Sequence, residues 1–413
     1  MSTTAEHSTQ PAIGMRRPKR RRHRGVRAVR LAVVLASVGM VLAACGSSTS
    51  ASVAATSGPG ATPKQMTAVS FNEYPGTPYS WLLNFAQGEG FFAKNGINAT
   101  LVPTSGAPPA FAGLVSNSLQ FASGDMINGG VVQDSGTPLE IVAGLMKGNQ
   151  TLLIGSKSAN LPTGFPAGIK GLAGKPVGVV SIGSAAYYYM ELFLKAAGMS
   201  VSSVNYLATT VAPASLIAAL DSQRVSAAVV SLATGYGLAV DDHDPVLFNM
   251  DTITGSLFPG SVPNPSILPT SAPLHVLANR VHQYLWASKP WAKSHRSVVK
   301  KVQLALEETD VWLHNPNNLN AAVVYLTDHG EVTKFPGETA QQLHAFLVTE
   351  VPLLVSYVPS ADVSAFQNVY VSQGVLPKVL PLSQFIASGV PGSASAVVAQ
   401  VKAAGQGSLG SSA

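Results

Sequence analysis

Two serines and a glycine lie directly before three tyrosines in the stretch SIGSAAYYYM (181–190). Such residues could form a nucleophilic serine turn, a loop whose backbone N–H groups hold a phosphate, or the wall of a pocket for an aromatic ligand. The preceding GKPVGVV is typical of a β-strand, and AAYYYMELFLKAAG predicts a helix that ends at Gly198. The small residues are therefore predicted at a strand-to-helix turn, where free N–H groups face whatever lies in front.

Known catalytic and nucleotide-binding motifs fit this sequence poorly. No G-x-S-x-G elbow surrounds Ser181 or Ser184. The stretch GEGFFA (88–93) has the spacing of a dinucleotide fingerprint, but it ends a predicted helix instead of following a strand. In GLAGKP, Ile169 stands where a phosphate loop needs its first glycine, and Pro176 replaces the Ser or Thr that would hold magnesium. No base, nucleophile and orienting group can be assembled, and we predict that the protein is not an enzyme.

Metal and cofactor sites are equally unsupported by the residue pattern. The stretch DDHD (241–244) could ligate a metal, although a solvated loop at a helix end is the favoured interpretation. His275 and His282 lie seven residues apart and could share one helix face, where a surface or partly buried role is favoured. Cys45 is the sole cysteine, so neither a disulfide within the chain nor a multi-cysteine zinc site can form. We predict no metal and no cofactor.

The positive charge of the chain is concentrated at its beginning. Residues 1–44 contain nine Lys or Arg and one acid, whereas the rest contains seventeen basic and nineteen acidic residues. The body therefore lacks the basic patch that a nucleic-acid partner requires. The apolar run LAVVLASVGMVLAA (31–44) follows the basic segment and is shorter than the roughly 20 residues of a membrane span. Residues 1–44 are predicted to be a secretory signal peptide.

The signal peptide ends in LAAC, which resembles the lipobox of bacterial lipoproteins. That resemblance implies that Cys45 is acylated and becomes the first residue of the mature protein, on the extracytoplasmic face of the cell membrane. An ordinary buried cysteine in an uncleaved anchor helix is the alternative. Residues 45–64 are small and polar and predict a flexible tether, and residues 389–413 have a similar bias that predicts a disordered tail.

Between the tether and the tail, short apolar strand patterns alternate with helical patterns. The series MTAVSFNEY, PYSWLLNFAQGEGFF, INATLVPT, PPAFAGLVSN and LQFAS starts it, and the same alternation returns after TLLIGSK. From 275 to 350 the pattern becomes mostly helical. Repeated alternation of this kind predicts two α/β lobes, each a mainly parallel sheet covered by helices.

The order of these segments resembles one family. EGFFAKNGINATLVPTSG, AFAGLVSNSLQFASGD and IKGLAGKPVGVVSIGSAAYYYMELFLKAAGMSVSSVNYLATT are similar to segments of the periplasmic substrate-binding proteins for nitrate, sulfonate, taurine and thiamine pyrimidine. The resemblance spans most of 66–387, whereas 251–300 matches loosely. It implies the two-lobed clamshell of periplasmic binding proteins of type 2, with ligand held between the lobes. The expected boundaries are 65–147 for the first part of lobe 1, 148–250 for lobe 2, and 251–388 for the return to lobe 1 and the C-terminal helices.

In such a fold the ligand lies at the carboxyl ends of the strands, in the cleft that closes by hinge motion. The turns after the strands then supply the expected ligand-binding residues: Tyr74, Pro75, Tyr79, Gly124, Asp125 and Met126 from lobe 1, and Ser181, Gly183, Ser184, Ala185, Tyr187, Thr209, Thr210 and Ser231 from lobe 2. Of the three consecutive tyrosines we prefer Tyr187, because it lies in the first helical turn. Tyr188 and Tyr189 are favoured as core residues.

Two of these residues could have a purely structural role instead of contacting a ligand. Asp125 and Ser184 each stand where a helix N-cap is expected, and Asp, like Ser, is a preferred capping residue. The donors of the Ser181–Ser184 turn favour an acidic ligand, whereas the tyrosines favour an aromatic or heterocyclic body. A sulfonate, a carboxylate or a pyrimidine-like compound would fit these features.

Three classes of function follow from the resemblance. The leading one is a monomeric, lipid-anchored receptor that captures a small solute and delivers it to the permease and ATPase of an ABC importer. The second is an enzyme of the kind that makes the thiamine pyrimidine, but those enzymes carry a cysteine-rich iron-binding run that this chain lacks. The third is a ligand receptor for a sensory kinase.

Overall fold

The computed structural model describes residues 66–210, 212–253, 257–258, 261–332 and 338–409, with side chains described as far as residue 405. The predicted signal peptide, the tether and Cys45 lie outside these residues, and their roles stay predictions. The described residues belong to one compact unit.

Two five-stranded sheets are present in the described part of the chain. The first sheet consists of β1 (Thr67–Glu73), β2 (Ile97–Pro103), β3 (Phe121–Asp125), β4 (Leu139–Lys147) and β10 (Val281–Ser288), and the second of β5 (Thr151–Gly155), β6 (Pro176–Val179), β7 (Asn205–Ala208), β8 (Ala227–Ser231) and β9 (Val246–Asn249). These two sheets are the cores of lobe 1 and lobe 2.

Both sheets are mixed and follow the same plan. The strand order is β2-β1-β3-β10-β4 in lobe 1 and β7-β6-β8-β5-β9 in lobe 2. Strand β10 is antiparallel to β3 and β4, and β5 is antiparallel to β8 and β9. The other four strands of each sheet run in one direction. The predicted α/β clamshell with mainly parallel sheets is confirmed, with one antiparallel strand inserted in each sheet.

Helices cover the sheets, and short connections link each strand to the next helix. They are α1 (Trp81–Gly88), α2 (Phe91–Lys94), α3 (Ala107–Val115), α4 (Met126–Asp134), α5 (Ala167–Lys170), α6 (Ala185–Ala196), α7 (Pro213–Asp221), α8 (Leu232–Asp241), α9 (Pro273–Leu277), α10 (Lys289–Ser294), α11 (Arg296–Leu313), α12 (Leu319–Asp328), α13 (Ala340–Glu350), α14 (Ser360–Ser372) and α15 (Ala394–Leu409). Within the described ranges, none of these helices combines the length and the apolar character needed to cross a bilayer.

The chain passes between the lobes where one sheet ends and the other begins. Residues 148–150 connect β4 to β5, and the segment after β9 leads back to β10. Strand β5 is therefore the first strand after the chain enters lobe 2, and β10 is the first strand after the chain returns to lobe 1. The parallel strands point their carboxyl ends towards the cleft, which places the N-termini of α4 after β3, α6 after β6 and α8 after β8 at its walls.

Two segments differ from the expectations. The region from 275 to 350, predicted to be mostly helical, contains β10, because a strand buried along nearly its whole length shows no alternation of polar and apolar residues. The tail from 389, predicted to be disordered, contains α15, which packs against α11 and buries Val397. Its small, polar composition concealed a helix because only a narrow face is buried.

The C-terminal chain approaches β4 so closely that one glycine is required there. The Gly144 N–H donates to the Ser356 carbonyl at 2.9 Å, and a Cβ at Gly144 would lie 2.3 Å from the Tyr357 carbonyl oxygen. Backbone atoms cannot swing aside as a flexible side chain can.

We expect Gly144→Ala to lower the free energy of unfolding by about 1–3 kcal/mol, the usual range for overpacking. Gly392→Ala is the matched control, because nothing lies within 4 Å of its added Cβ. Denaturant titration of both variants gives the comparison. Equal stability of the two variants would contradict the close approach of the 355–357 segment to β4.

Candidate functional site

A cavity of about 80 Å³ lies between the lobes, at the carboxyl ends of strands from both sheets. Seven of the expected ligand-binding residues line it: Tyr74, Tyr79, Gly124 and Asp125 from lobe 1, and Ser184, Ala185 and Ser231 from lobe 2. The strand-to-helix turns therefore meet at one place. The role of these residues in binding a ligand stays a prediction.

The other seven expected residues do not line the cavity: Pro75, Met126, Ser181, Gly183, Tyr187, Thr209 and Thr210. Pro75 and Thr210 are exposed, and Met126 is fully buried. The Thr209 hydroxyl donates to the Val179 carbonyl at 3.1 Å, so it ties β7 to β6.

Of the three consecutive tyrosines, Tyr189 lines the cavity and Tyr187 does not, and the contact of Tyr187 with a ligand stays a prediction. The Tyr187 ring packs on Tyr206 with 4.8 Å between ring centroids, whereas Tyr189 lines the cavity. Successive helical residues point about 100° apart, and the sequence does not fix the rotation of α6 about its axis. Packing against β7 fixes it and turns Tyr189 inwards.

Several cavity residues escaped the sequence interpretation. They are Thr77, Gly106, Ala107, Asn128, Thr151, Val180, Ala186, Tyr189, Leu216, Val229, Val230, Thr234, His282 and Gln283. His282 and Gln283 belong to β10, the strand that the helical pattern concealed. Two adjacent polar residues within a fully buried run were the available signal, because such residues in a core usually need a partner or a function.

Asp125 is the most constrained polar residue of the cavity. It is 2% exposed, ends β3 and caps α4, where its Oδ1 accepts a hydrogen bond from the Ile127 N–H at 3.0 Å. The Tyr370 hydroxyl of α14 also donates to Oδ1, at 3.2 Å. The Tyr189 hydroxyl of lobe 2 donates to Oδ2 at 3.3 Å. One carboxyl group thus joins both lobes and the C-terminal helices.

Apart from tyrosines, the cavity wall contains two titratable groups, Asp125 and His282, and burial determines the protonation of both. Removal from water raises the pKa of Asp125 to about 7, against the lowering effect of its hydrogen-bond donors. The same cause lowers the pKa of His282 to about 3, so its imidazole is neutral at pH 7. His282 Nδ1 is buried and has no hydrogen-bond partner among the described residues.

The mouth of the cleft is bridged by a contact between the lobes. Asn128 Nδ2, on α4, donates to the Gly183 carbonyl of lobe 2 at 3.4 Å. Gly183 has φ +80°, a conformation that glycine adopts without strain, and this directs its carbonyl across the cleft. A Cβ at Gly106 would lie 2.9 Å from the Val180 side chain, so the two rims are in close contact.

Ser184 lines the cavity, but its hydroxyl is used within lobe 2. It caps α6 by accepting from the Tyr187 N–H at 3.3 Å, and it donates to the Ser181 carbonyl at 2.7 Å. Its only proton is therefore engaged. The capping interpretation of Ser184 accounts for both of these contacts.

The DDHD loop is tied into the fold in a similar way. Asp244 Oδ1 accepts from the Lys157 N–H at 2.7 Å. Within the described ranges, no group of three or more His, Cys, Asp or Glu side chains is placed to hold a metal ion.

A cap variant tests the role of Ser184. We expect Ser184→Ala to lower the free energy of unfolding by about 1 kcal/mol, because the first turn of α6 loses its acceptor. Ser184→Asn is the matched control, since Asn is among the best capping residues. Chemical denaturation measures both. Equal losses in the two variants would show that capping is not the function of the hydroxyl.

A second test concerns Asp125. Its ordinary pKa is 3.8 and its folded pKa is about 7, so between these values the folded state holds a proton that the unfolded state has released. The stability of the wild type relative to Asp125→Asn should therefore fall as pH rises from 4 to 7, by at most about 1.4 kcal/mol per pH unit. Asn keeps the cap of α4.

Among the described residues that interact with Asp125 or line the cavity with it, tyrosines and His282 are the other titratable groups, and their pKa values lie outside that window. Burial raises the pKa values of Tyr79, Tyr189, Tyr284 and Tyr370, and it lowers that of His282. Denaturation at several pH values, with the exposed Asp134→Asn on the same helix as control, gives the measurement. A difference between wild type and Asp125→Asn that does not change with pH would contradict the buried carboxyl group.

Comparison with known proteins agrees with this architecture. Residues 77–256 match the family model described as NMT1/THI5 like. No curated protein matches the chain in sequence. The match confirms the family resemblance of the segments before and within lobe 2: the chain contains an NMT1/THI5-like domain.

Solved structures match over most of the chain. The alkanesulfonate-binding protein SsuA of Xanthomonas axonopodis pv. citri, bound to MOPS, is 17% identical, with 79% of this chain and 99% of that chain covered and a TM-score of 0.58. The periplasmic aliphatic sulphonate binding protein SsuA of Escherichia coli is 16% identical, with 79% and 98% covered and a TM-score of 0.54. The periplasmic nitrate-binding protein NrtA of Synechocystis is 15% identical, with 76% and 82% covered and a TM-score of 0.53. At these identities the likeness shows the fold, which is that of periplasmic binding proteins.

Proposed function

We propose that this chain, whose residues 77–256 form an NMT1/THI5-like domain, is an extracytoplasmic solute-binding protein of an ABC importer. It captures a small organic ligand in the cleft between its lobes and passes it to the permease and ATPase subunits. The neighbours named for sulfonate and nitrate binding are periplasmic proteins of the same fold, which supports the location and the class of activity.

One observation carries the proposal: the wall of the cavity is divided between the two lobes. Tyr79 and Asp125 face it from lobe 1, and Ala185 and Tyr189 from lobe 2. A ligand in this position touches both lobes and stabilises the closed arrangement relative to the open one. A membrane partner can distinguish the two arrangements, which is the property that a delivery protein needs.

Cys45 supports a site of attachment at the membrane. The proposed mature protein begins with an acylated Cys45 and a tether of about twenty residues, estimated from the flexible-linker composition of residues 45–64. Such a linker allows the folded unit to reach an importer in the same membrane. The protein acts as a monomer in this scheme.

The enzyme alternative has less support. In the described part of the chain, no Ser or Thr hydroxyl of the cavity is hydrogen-bonded to Asp125 or His282, and the chain has no second cysteine for an iron-binding run. The sensory alternative shares the cleft and differs only in its membrane partner. An uptake experiment separates it from the importer role.

The experiment compares solute depletion from the growth medium by cells that carry the gene, cells that lack it, and complemented cells. We expect at least one small solute to disappear from the medium only when the protein is present. A double variant, Val131→Cys with Ile182→Cys, joined by a short thiol cross-linker, should abolish that depletion, because the link holds the lobes together. Both side chains are exposed, at 38% and 58%, and Val131 borders the groove that Gly183 also borders.

The pair Val115→Cys with Val131→Cys is the matched control, since both residues belong to lobe 1. Cross-linking it should leave depletion unchanged. Complementation with Cys45→Ala should fail to restore uptake, because the receptor is no longer held at the membrane. Uptake of every solute at the same rate with and without the gene would contradict the importer role.

A further inference from the structure

The charge of the cavity wall is unlike that expected for an anion receptor. Among the described residues that line it, Asp125 is an acid, His282 is a neutral imidazole, and neither Lys nor Arg is present. The groups that act on Asp125 are hydrogen-bond donors, and burial, which no neighbouring cation offsets, dominates its pKa. A permanent anion placed here would face a carboxyl group with no side-chain counter-ion to offset the repulsion.

The hydroxyl groups of the cavity wall also have little capacity left to donate hydrogen bonds to a ligand. Five hydroxyl protons of the wall are already donated to protein oxygens: Tyr74 to Ser123, Thr77 to Tyr74, Tyr79 to Gln150, Ser184 to Ser181, and Tyr189 to Asp125. The Ser231 and Thr234 hydroxyls share one hydrogen bond, which uses one of their two protons. Asp125, in contrast, offers only acceptor atoms to the cavity when it is ionised, and its present donors are the Ile127 and Met126 N–H groups and the Tyr189 and Tyr370 hydroxyls. His282 Nδ1 also lies in this buried wall without a hydrogen-bond partner among the described residues.

We propose that Asp125 selects a ligand with a nitrogen donor, such as a protonated amine, an amidine or an N–H heterocycle, and that the cleft discriminates against sulfonates, carboxylates and nitrate. This inference rests on the proposed solute-binding function and specifies the chemical class of its ligand. It replaces the acidic ligand that the Ser181–Ser184 turn favoured in the sequence.

The two lobes divide the recognition. In lobe 1, Asp125 receives the donor, and its geometry is fixed by Ile127, Tyr189 and Tyr370. In lobe 2, Ala185 and Ala186 form the first turn of α6 and line the cavity, and first-turn N–H groups lack partners within the helix. They suit an uncharged acceptor, such as a carbonyl or ring nitrogen, at the other end of the ligand.

The anion-binding capacity of a helix N-terminus does not reverse this preference. Partial charge at such a terminus amounts to about half an elementary charge and acts within one turn. Asp125 carries a full negative charge when ionised and lies in the same small cavity, bonded to Tyr189 of α6. An ionised Asp125 therefore outweighs the helix, and a protonated one adds only a single donor for an anion.

Three probes of nearly equal shape test the class: benzamidine, benzamide and benzoate, with methanesulfonate and nitrate as additional anions. Titration calorimetry and thermal shift use the full-length protein in detergent. We expect benzamidine to bind at least tenfold more tightly than benzoate at pH 8, with benzamide between them. Benzamidine affinity should decline as pH falls below 7, because Asp125 then becomes protonated.

Asp125→Asn is the decisive variant, since it keeps the shape and the helix cap but removes the charge. Benzamidine should lose at least tenfold in affinity, whereas benzoate should bind no worse than to the wild type. Asp134→Asn, an exposed carboxylate at the end of the same helix, should leave all probes unchanged. Unfolding profiles of both variants identify any loss that comes from instability.

The outcomes separate this inference from the proposed function. Preferential binding of benzoate, methanesulfonate or nitrate to the wild type would overturn the nitrogen-donor class but leave the receptor role intact. Absence of binding by all probes would also count against it. Benzamidine binding that depends on Asp125, together with uptake that is independent of the gene, would support the ligand class and reject the importer role.

Discussion

The carboxyl group of Asp125 is the interaction on which the cleft depends. It ends β3, caps α4, and receives hydroxyl donors from α6 of the opposite lobe and from α14. A buried charge is stable only when its lone pairs are satisfied, so these donors are needed to keep the carboxylate in the closed cleft. Opening the cleft removes Tyr189 and admits water. Closure and the state of this one carboxyl group are therefore linked, and a ligand that donates to it acts on both.

The segments that cross between the lobes, unlike Asp125, contain buried polar atoms without hydrogen-bond partners among the described residues. Asn149 and Gln150 follow β4, Asn249 ends β9, and each keeps a buried polar side-chain atom without a partner among the described residues. Such atoms raise the free energy of the arrangement that buries them. An arrangement that brings them into contact with water is correspondingly less costly. The closed cleft is thus stabilised by the hydrogen bonds of Asp125 and by the Asn128–Gly183 contact, whereas the crossings contain poorly satisfied groups.

Sequence patterns located the parts of the site that depend on local rules. Asp125, Ser184 and Ser231 were found because a small polar residue between a strand and a helix is a capping signal, and parallel strands place such turns at one edge. Tyr189 and His282 required tertiary information. The rotation of α6 comes from the packing of Tyr187 on Tyr206, and the identity of β10 as a strand comes from its insertion between β3 and β4. Neither constraint acts between sequence neighbours.

The comparison with the sulfonate and nitrate proteins shows how little the fold decides about the ligand. At 15–17% identity the chains share the fold. A fold follows from burial patterns that many sequences satisfy, whereas the ligand meets only the few side chains that end at the cavity. In this chain an acid stands at the N-terminus of α4, and no basic side chain stands among the described residues around it. In the ligand class proposed above, a cap that stabilises a helix also determines the sign of charge that the cleft accepts.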